Sequence, residues 1–272
     1  MIYREIGNTG EKVAALGLGT WDIGGGVSPD YSRDKDHILN IEAAIDMGYS
    51  HIDTAEYYAS GHTEELVGEA IKQFSRENLF IVSKVWSNHL DKKELPKALK
   101  RSLKRLKTDY IDLYLIHWPN PDIPVKESLD AMAELKKAGL IKHIGVSNFN
   151  KDLLNEAMMV SSEPILFDQV LYNIVDREPE RELLPYCQEN DVILTAYTPL
   201  RRGNLPSDTE KALNDTAQKY NSTIFQIMLA WLLSKKGVIA IPKASSEVHL
   251  RENLKAADIK LAPEDIERLN DI

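Results

Sequence analysis

Short apolar runs alternate with segments of helical periodicity along nearly the whole chain. The run at residues 49–53, for example, precedes residues 63–74, where Leu66 and Ala70 fall on one helical face. The runs interpreted as strands are residues 14–19, 49–53, 79–85, 110–117, 143–148, 165–169, 192–197 and 238–243. The predicted helices are residues 34–47, 63–74, 92–106, 125–138, 151–160, 180–189, 208–220, 223–235, 246–256 and 263–270. Eight strand-and-helix units predict an α/β fold, a (β/α)8 TIM barrel with an N-terminal β-hairpin plug at residues 2–15 and extra C-terminal helices.

The main alternative is an open, doubly wound sheet. That fold would place Gly-x-Gly-x-x-Gly after its first strand, but the segment from Gly17 to Asp22 lacks the third glycine. The sequence contains no P-loop motif either. Its 272 residues are close to the roughly 250 of one barrel, and no linker divides them. Although the length would also suit two domains of about 130 residues, we predict one domain over residues 1–272.

Composition narrows the classes of partner. The formal net charge of −9 argues against general nucleic-acid binding, which needs a basic surface. No apolar stretch approaches the roughly 18 residues that a membrane-spanning helix requires. The first residues lack the apolar core of a secretory signal, and Cys187 is the only cysteine. We therefore expect a cytoplasmic protein without membrane or nucleic-acid partners, and both a monomer and a dimer fit the sequence.

Three successive predicted strands carry ionisable side chains at or next to their C-terminal ends, at Asp53, Lys84 and His117. Because a parallel barrel gathers the C-terminal ends of its strands on one face, these groups should meet Tyr58 there. A phenol has an ordinary pKa of about 10, and a nearby ammonium group favours the phenolate. A carboxylate in turn keeps the lysine charged. Tyr58 could then donate a proton to a carbonyl oxygen during reduction and accept one in the reverse reaction, with His117 orienting the carbonyl.

A metal-dependent barrel hydrolase is a further alternative, because His51 and Asp53 alternate on one strand. Such a site needs a larger ligand cluster, and no second His-x-His pair supports one.

A lone histidine at a strand end is more often structural than catalytic. The joint presence of Asp53, Tyr58 and Lys84 favours a catalytic role for His117, and we predict no metal site.

Six segments, in order, carry a more specific pattern. They are His51-Ile-Asp-Thr-Ala-Glu-Tyr-Tyr58, Ile81-Val-Ser-Lys-Val-Trp86, Leu115-Ile-His-Trp-Pro119, Ile144-Gly-Val-Ser-Asn-Phe149, Ala196-Tyr-Thr-Pro-Leu200 and Ile241-Pro-Lys-Ala-Ser245. Together they resemble the aldo-keto reductase superfamily over essentially the whole chain. The resemblance implies that Tyr58 is the general acid and base, since the family spacing selects it over Tyr57. It implies that Lys84 and Asp53 tune Tyr58 and that His117 orients the substrate.

The same resemblance implies a site for NADP(H), NAD(H) or both, without a Rossmann domain. Ser147, Asn148 and Gln169 are expected to bind the carboxamide, and Tyr197 to stack on the nicotinamide. The other expected cofactor contacts are Thr20, Trp21, Asp53, Thr198, Pro199, Leu200, Ile241, Lys243, Ala244, Ser245, Ser246, His249, Glu252 and Asn253. The expected substrate contacts are Trp21, Tyr58, Trp86, His117 and Trp118.

These residues lead to one functional hypothesis and one alternative. The first is reversible, NAD(P)H-dependent reduction of small aldehydes or ketones to alcohols, with hydride transfer from the nicotinamide. The alternative is a regulatory subunit that binds the cofactor, senses redox state and turns over little. The family's long C-terminal substrate loop has no counterpart here, so we expect a more open substrate pocket.

One departure from the family pattern predicts the choice of cofactor. In the pattern that prefers a 2′-phosphate, an arginine follows the lysine of Ile-Pro-Lys by six residues, and this chain has His249 there. A neutral imidazole binds phosphate less well than a bidentate guanidinium group. We therefore expect both NADPH and NADH to be used, with kcat/KM values that differ by less than about 100-fold. Steady-state kinetics with each cofactor checks this, and a larger preference for NADPH would contradict it.

Overall fold

The computed structural model describes residues 2–272, and Met1 lies outside the described residues. The chain divides into two compact units. One is Leu18–Asp168, and the other combines the residues up to Gly17 with Gln169–Ile272. The boundary between the two units, at Asp168 and Gln169, lies within the strand β8, Ile165–Leu171. The prediction of one domain over residues 1–272 stays a prediction.

The unit Leu18–Asp168 alternates strands with helices. Its strands are β3 (Leu18–Gly19), β4 (His51–Asp53), β5 (Phe80–Val85), β6 (Ile111–Ile116) and β7 (Ile141–Ser147). Its helices are α1 (Asp34–Asp46), α2 (His62–Ala70), α3 (Leu95–Leu106), α4 (Val125–Lys137) and α5 (Lys151–Val160). The five strands are parallel neighbours in chain order, from β3 to β7. Consecutive strands therefore end side by side, which places the residues at their C-terminal ends close together.

The residue pattern explains why these elements form. All six residues of β6 are buried, as expected for a parallel strand that is covered on both faces. Helix α3 is amphipathic, with Leu95, Leu99 and Leu106 buried and its lysines exposed. The alternation of the two types of element thus buries one continuous set of apolar side chains in this unit.

The second unit contains the hairpin and the C-terminal elements. Its strands are β1 (Tyr3–Glu5), β2 (Lys12–Ala14), β9 (Ile193–Tyr197) and β10 (Val238–Ala240). Its helices are α6 (Leu183–Glu189), α7 (Ser207–Lys219), α8 (Ile224–Ser234), α9 (Glu247–Ala256) and α10 (Pro263–Asn270). The strands β1 and β2 pair antiparallel, which confirms the predicted hairpin, and β9 and β10 pair parallel. The Arg4 side chain of β1 donates to the carbonyl oxygens of Leu233 and Val238, at 2.6 and 3.2 Å.

Several predicted boundaries are wrong for local reasons. The predicted first strand, residues 14–19, is reduced to Leu18–Gly19, because Ala14 belongs to the hairpin strand β2. Helix α3 begins at Leu95 rather than residue 92, since the Asp91 carboxylate accepts the backbone N–H groups of Lys93 and Glu94 in a turn. Helices α2 and α6 are shorter than predicted, since one 3₁₀ turn, Ile71–Gln73, follows α2 and another, Glu178–Glu180, precedes α6.

The contact between α2 and α3 depends on a glycine. A Cβ at Gly68 would lie 2.3 Å from the carbonyl oxygen of Arg105. We expect Gly68→Ala to destabilise the protein by about 1–3 kcal/mol, because overpacking against backbone outweighs the gain in helix propensity. The matched control is Gly26→Ala, where the nearest atom to the new Cβ, on Asp22, is 3.7 Å away. Thermal unfolding measures both, and equal stability of the two variants would contradict the prediction.

Candidate active site

A buried lysine joins two neighbouring strands and the turn that follows the first. Lys84, on β5, donates from Nζ to Asp53 Oδ1 at 2.6 Å, to the Thr54 carbonyl oxygen at 2.9 Å and to Tyr58 Oη at 3.1 Å. Lys84 is fully buried and Asp53 is 1% exposed. The ammonium group thus has an acceptor for each of its three N–H bonds. The structure brings these three predicted residues together.

The turn that carries Tyr58 is held by contacts to the loop after β3. Ala59 and Ser60, which follow Tyr58, have φ values of 46° and 54°, in the left-handed region. The backbone N–H of Ala59 donates to the Gly26 carbonyl oxygen at 2.7 Å, and Ser60 Oγ donates to the Val27 carbonyl oxygen at 3.1 Å. These contacts fix the direction in which the phenol leaves the backbone.

Burial determines the protonation of Tyr58. Burial raises its pKa above the ordinary value of 10, and Lys84 offsets only part of that rise. Lys84 favours the phenolate, as expected, but removal of water from the phenol has the larger effect and the net pKa is raised. Burial opposes the charge on Lys84, but Asp53 and Tyr58 together raise the pKa of Lys84. The site therefore holds a neutral phenol beside a charged ammonium group.

His117 follows β6 and lies beside the phenol. Its ring centroid is 5.6 Å from that of Tyr58, at an interplanar angle of 75°. Burial lowers the pKa of His117 to about 2, and the charge on Lys84 acts in the same direction. Within residues 2–272, its buried Nδ1 atom has no hydrogen-bond partner. The imidazole is therefore neutral at physiological pH and keeps one N–H group for donation.

Aromatic rings surround these polar groups. Trp21 contacts Tyr58 edge-on at 5.0 Å, and Trp86 lies 5.2 Å from His117, both between ring centroids. Tyr57 stacks on Trp86 at 3.8 Å and 15°. The expected pocket residues Trp21 and Trp86 thus lie beside Tyr58 and His117, and Tyr57 joins them. Trp118, which follows His117, is 44% exposed.

Glu56 was not predicted as a site residue. The Glu56 carboxylate is buried, and it accepts the backbone N–H of Trp86 at 2.7 Å. It also contacts His89 Nδ1 at 2.9 Å. The sequence indicates only that Glu56 precedes the two tyrosines, and nothing local reveals a partner thirty residues away. Through the backbone N–H of Trp86, Glu56 therefore holds that residue in place beside Tyr57 and His117.

Two of the expected cofactor residues are linked to the backbone of this cluster. Asn148 follows β7 with a left-handed φ of 62°, and its Nδ2 donates to the His117 carbonyl oxygen at 2.9 Å. Thr20 Oγ1 donates to the Asp53 carbonyl oxygen at 2.8 Å. Ser147 ends β7, is buried, and accepts from Asn148 Nδ2 at 3.1 Å. Amide and hydroxyl groups therefore lie next to the strand ends that carry Asp53 and His117.

The other expected cofactor residues belong to the second unit. Gln169 is buried on β8, and Tyr197 ends β9 before the segment Thr198, Pro199 and Leu200. Ser246 is the N-cap of α9, and its hydroxyl oxygen accepts from the backbone N–H of His249. The residues before it alternate in exposure, with Lys243 and Ser245 exposed and Ile241 and Ala244 buried. Asn253, one turn further along α9, is buried.

A cavity of about 660 Å³ adjoins α9. It is lined by His249 and Glu252, which were expected to contact the cofactor, and by Phe225, Asn221 and Gln218 among others. Phe225 was not predicted. The sequence indicates only that Phe225 is an apolar residue near the start of α8. The structure shows that its side chain is 36% exposed.

The described residues contain neither a metal-ligand cluster nor a membrane-spanning helix. Among residues 2–272, no group of three or more His, Cys, Asp or Glu side chains could hold a metal ion. The metal-dependent hydrolase therefore lacks a ligand set in the described part of the chain. No helix over the same residues is both long and apolar enough to cross a membrane.

The chain is similar to known reductases in sequence and in structure. A model of the aldo/keto reductase family matches residues 15–272. The methylglyoxal reductase YeaE of Escherichia coli (strain K12) is 36% identical over 263 residues, which cover 95% of this chain and 90% of that protein. The thermostable aldo-keto reductase Tm1743, solved with the inhibitor epalrestat, has a TM-score of 0.99 and 59% identity, covering 100% of this chain and 99% of that one.

A second solved structure contains a nicotinamide cofactor. It is an aldo/keto reductase from Klebsiella pneumoniae, solved with NADP and acetate. Its TM-score is 0.90 at 37% identity, covering 97% of this chain and 93% of that one. These likenesses confirm the predicted fold class, a (β/α)8 barrel.

The neutral state of His117 can be observed directly. Because burial and the Lys84 charge lower its pKa to about 2, we expect no protonation of its ring between pH 8 and about 5. Nuclear magnetic resonance of ring-labelled histidine measures this, and His117→Asn assigns the signal by its loss. A midpoint near the ordinary histidine value of 6.5 would contradict the prediction.

Proposed function

Because the chain belongs to the aldo/keto reductase family, we propose that it reduces small 2-oxoaldehydes such as methylglyoxal. It is an NAD(P)H-dependent oxidoreductase that reduces aldehydes or ketones to alcohols, and the reaction is reversible. The choice of 2-oxoaldehydes is supported by the relative from Escherichia coli, which is named a methylglyoxal reductase. The relatives give no support to the alternative of a redox-sensing subunit.

The observation that carries the assignment of roles is the bond between the Lys84 ammonium group and Tyr58 Oη. When the phenol gives up its proton, negative charge develops on Oη, and the ammonium group 3.1 Å away stabilises it. Asp53 holds that ammonium group in place at 2.6 Å. Since burial keeps Tyr58 protonated in the resting site, the phenol is ready to donate to a carbonyl oxygen. In the reverse reaction the same oxygen accepts the alcohol proton.

His117 is proposed to orient the substrate rather than to exchange a proton. Its pKa of about 2 leaves it neutral, so it is a poor proton donor but a good hydrogen-bond donor. One ring N–H can direct the carbonyl oxygen towards Tyr58 Oη. The rings of Trp21, Trp86 and Tyr57 exclude water around that oxygen, which strengthens both hydrogen bonds.

The residues present fit a nicotinamide cofactor. Ser147, Asn148 and Gln169 offer hydroxyl and amide groups that match both the donor and the acceptor of a carboxamide. Lys243 and Ser245, exposed just before the N-cap of α9, offer charge and a hydroxyl to phosphate, and the start of a helix favours anions. The cavity beside His249 and Glu252 would take the adenosine end. When bound, the cofactor supplies a hydride to the carbonyl carbon.

The wider setting is also proposed. Cys187 is the single cysteine of the sequence and is buried, so no intrachain disulfide can form, and we infer a cytoplasmic location. The family model that spans residues 15–272 supports one catalytic domain over the chain.

Loss of the Tyr58 hydroxyl should abolish most of the activity. We expect Tyr58→Phe to lower kcat for methylglyoxal reduction by at least about 100-fold, because general acid catalysis is lost. The affinity of this variant for NADPH, measured by fluorescence, should stay within about twofold of the wild-type value, because NADPH binding does not need the Tyr58 proton. Tyr57→Phe is the matched comparison for the adjacent phenol and should lose less than about tenfold. The reverse order of the two losses would refute the assignment, as would retained turnover in Tyr58→Phe.

A further inference from the structure

A buried asparagine joins the loops that follow β8 and β9. Asn173 is fully buried, and its Oδ1 accepts the backbone N–H groups of Val175 and Asp176 at 3.0 and 2.9 Å. Its Nδ2 donates to Asp176 Oδ2 at 2.9 Å and to the Thr198 carbonyl oxygen at 3.2 Å. Every polar atom of the side chain is therefore used, and one of its bonds crosses to the other loop.

The Asp176 carboxylate makes a second connection between the same loops. Its Oδ2 accepts from Asn173 Nδ2 and, at 3.3 Å, from Arg201 Nε. Arg201 Nη1 also donates to the Asn204 carbonyl oxygen at 2.7 Å, and the backbone N–H of Arg201 donates to the Thr198 carbonyl oxygen at 3.1 Å. We refer to Asn173, Asp176 and Arg201 as the Asn173 clasp.

The clasp holds a segment of backbone that is unfavourable on its own. Thr198, Arg201 and Arg202 have φ values of 51°, 46° and 52°, in the left-handed region. Residues with a Cβ avoid that region, and a β-branched threonine avoids it most. Such a conformation persists only when surrounding contacts require it. The described side-chain contacts that reach Thr198 and Arg201 from the other loop come from Asn173 and Asp176.

We propose that Asn173 and Asp176 are positioning residues that hold the loop 197–203 in its cofactor-binding conformation and so set the rate of cofactor release. This rests on the proposed function, in which Tyr197, Thr198, Pro199 and Leu200 contact the nicotinamide cofactor. Neither Asn173 nor Asp176 needs to touch the cofactor. Both act through the carbonyl oxygen of Thr198 and the side chain of Arg201.

Removal of the Asn173 clasp should speed cofactor release, because the loop that it holds is strained. Without the clasp, the loop relaxes to other conformations, and a bound cofactor must reorder it. Changes of this kind alter dissociation more than association. The chemical step should be unaffected, because the clasp does not contact Lys84, Tyr58 or His117 in any described interaction.

The test measures NADPH release separately from hydride transfer. NADPH dissociation from the full-length enzyme is followed by stopped-flow fluorescence with excess NADP⁺ as a trap, and hydride transfer by single turnover at saturating NADPH. We expect Asp176→Ala and Asn173→Ala each to speed release about tenfold, the effect of losing a charge-assisted hydrogen bond. Single-turnover rates should stay within about twofold of the wild type.

Two further variants separate positioning from general damage. Asp176→Asn keeps an acceptor for Arg201 and Asn173, so it should restore most of the slow release. Asp215→Ala is the matched control, because it removes another carboxylate that is paired with an arginine, Arg268, at 2.9 Å in the same unit. Its release rate should equal that of the wild type.

The outcomes are distinct. Fast NADPH release that is confined to Asn173→Ala and Asp176→Ala, with normal single-turnover rates, supports the proposal. Unchanged or slower release in them overturns it, as does equal acceleration by Asp215→Ala. If the wild type binds no NADPH in this assay, the proposed function fails first, before the clasp is tested.

Discussion

The burial of one ammonium group, on Lys84, is the constraint on which the candidate site depends. A charge removed from water is costly unless it is paired and fully hydrogen-bonded, and breaking a buried pair costs about 3–5 kcal/mol. Lys84 meets this requirement with Asp53, the Thr54 carbonyl oxygen and Tyr58. The same three bonds that make the charge tolerable also place it against the phenol. In the proposed mechanism, folding and catalysis therefore use the same contacts.

The parallel strands and one strained turn deliver these partners. In β4 and β5, Asp53 pairs with Val82, so Lys84 lies two residues beyond it towards the C-terminal end. The left-handed residues Ala59 and Ser60 then direct Tyr58 back to the ammonium group. Backbone strain of this kind recurs in the segment after β9, since Thr198 and Arg201 share it. In each case contacts from a second loop maintain the strained segment.

The sequence predicts the parts of the site that lie at strand ends. Asp53, Lys84 and His117 are recognisable because apolar runs stop at or beside them. In the structure Lys84 bonds both Asp53 and Tyr58, and the His117 ring lies beside that of Tyr58. Glu56, Phe225 and the Asn173 clasp could not be found in this way, because their partners are distant in the chain and follow no period. The net rise in the pKa of Tyr58 could not be predicted in this way either, since the degree of burial is a property of packing and not of residue type.

We propose that a neutral Tyr58 phenol, held beside the Lys84 ammonium group, is the proton donor. Its ionisation is measured most directly as the ultraviolet difference spectrum between the wild type and Tyr58→Phe during an alkaline titration. We expect the phenolate signal of Tyr58 to appear only above pH 10, the ordinary tyrosine pKa. A phenolate that forms below about pH 9 would contradict it, because the ammonium group would then outweigh burial.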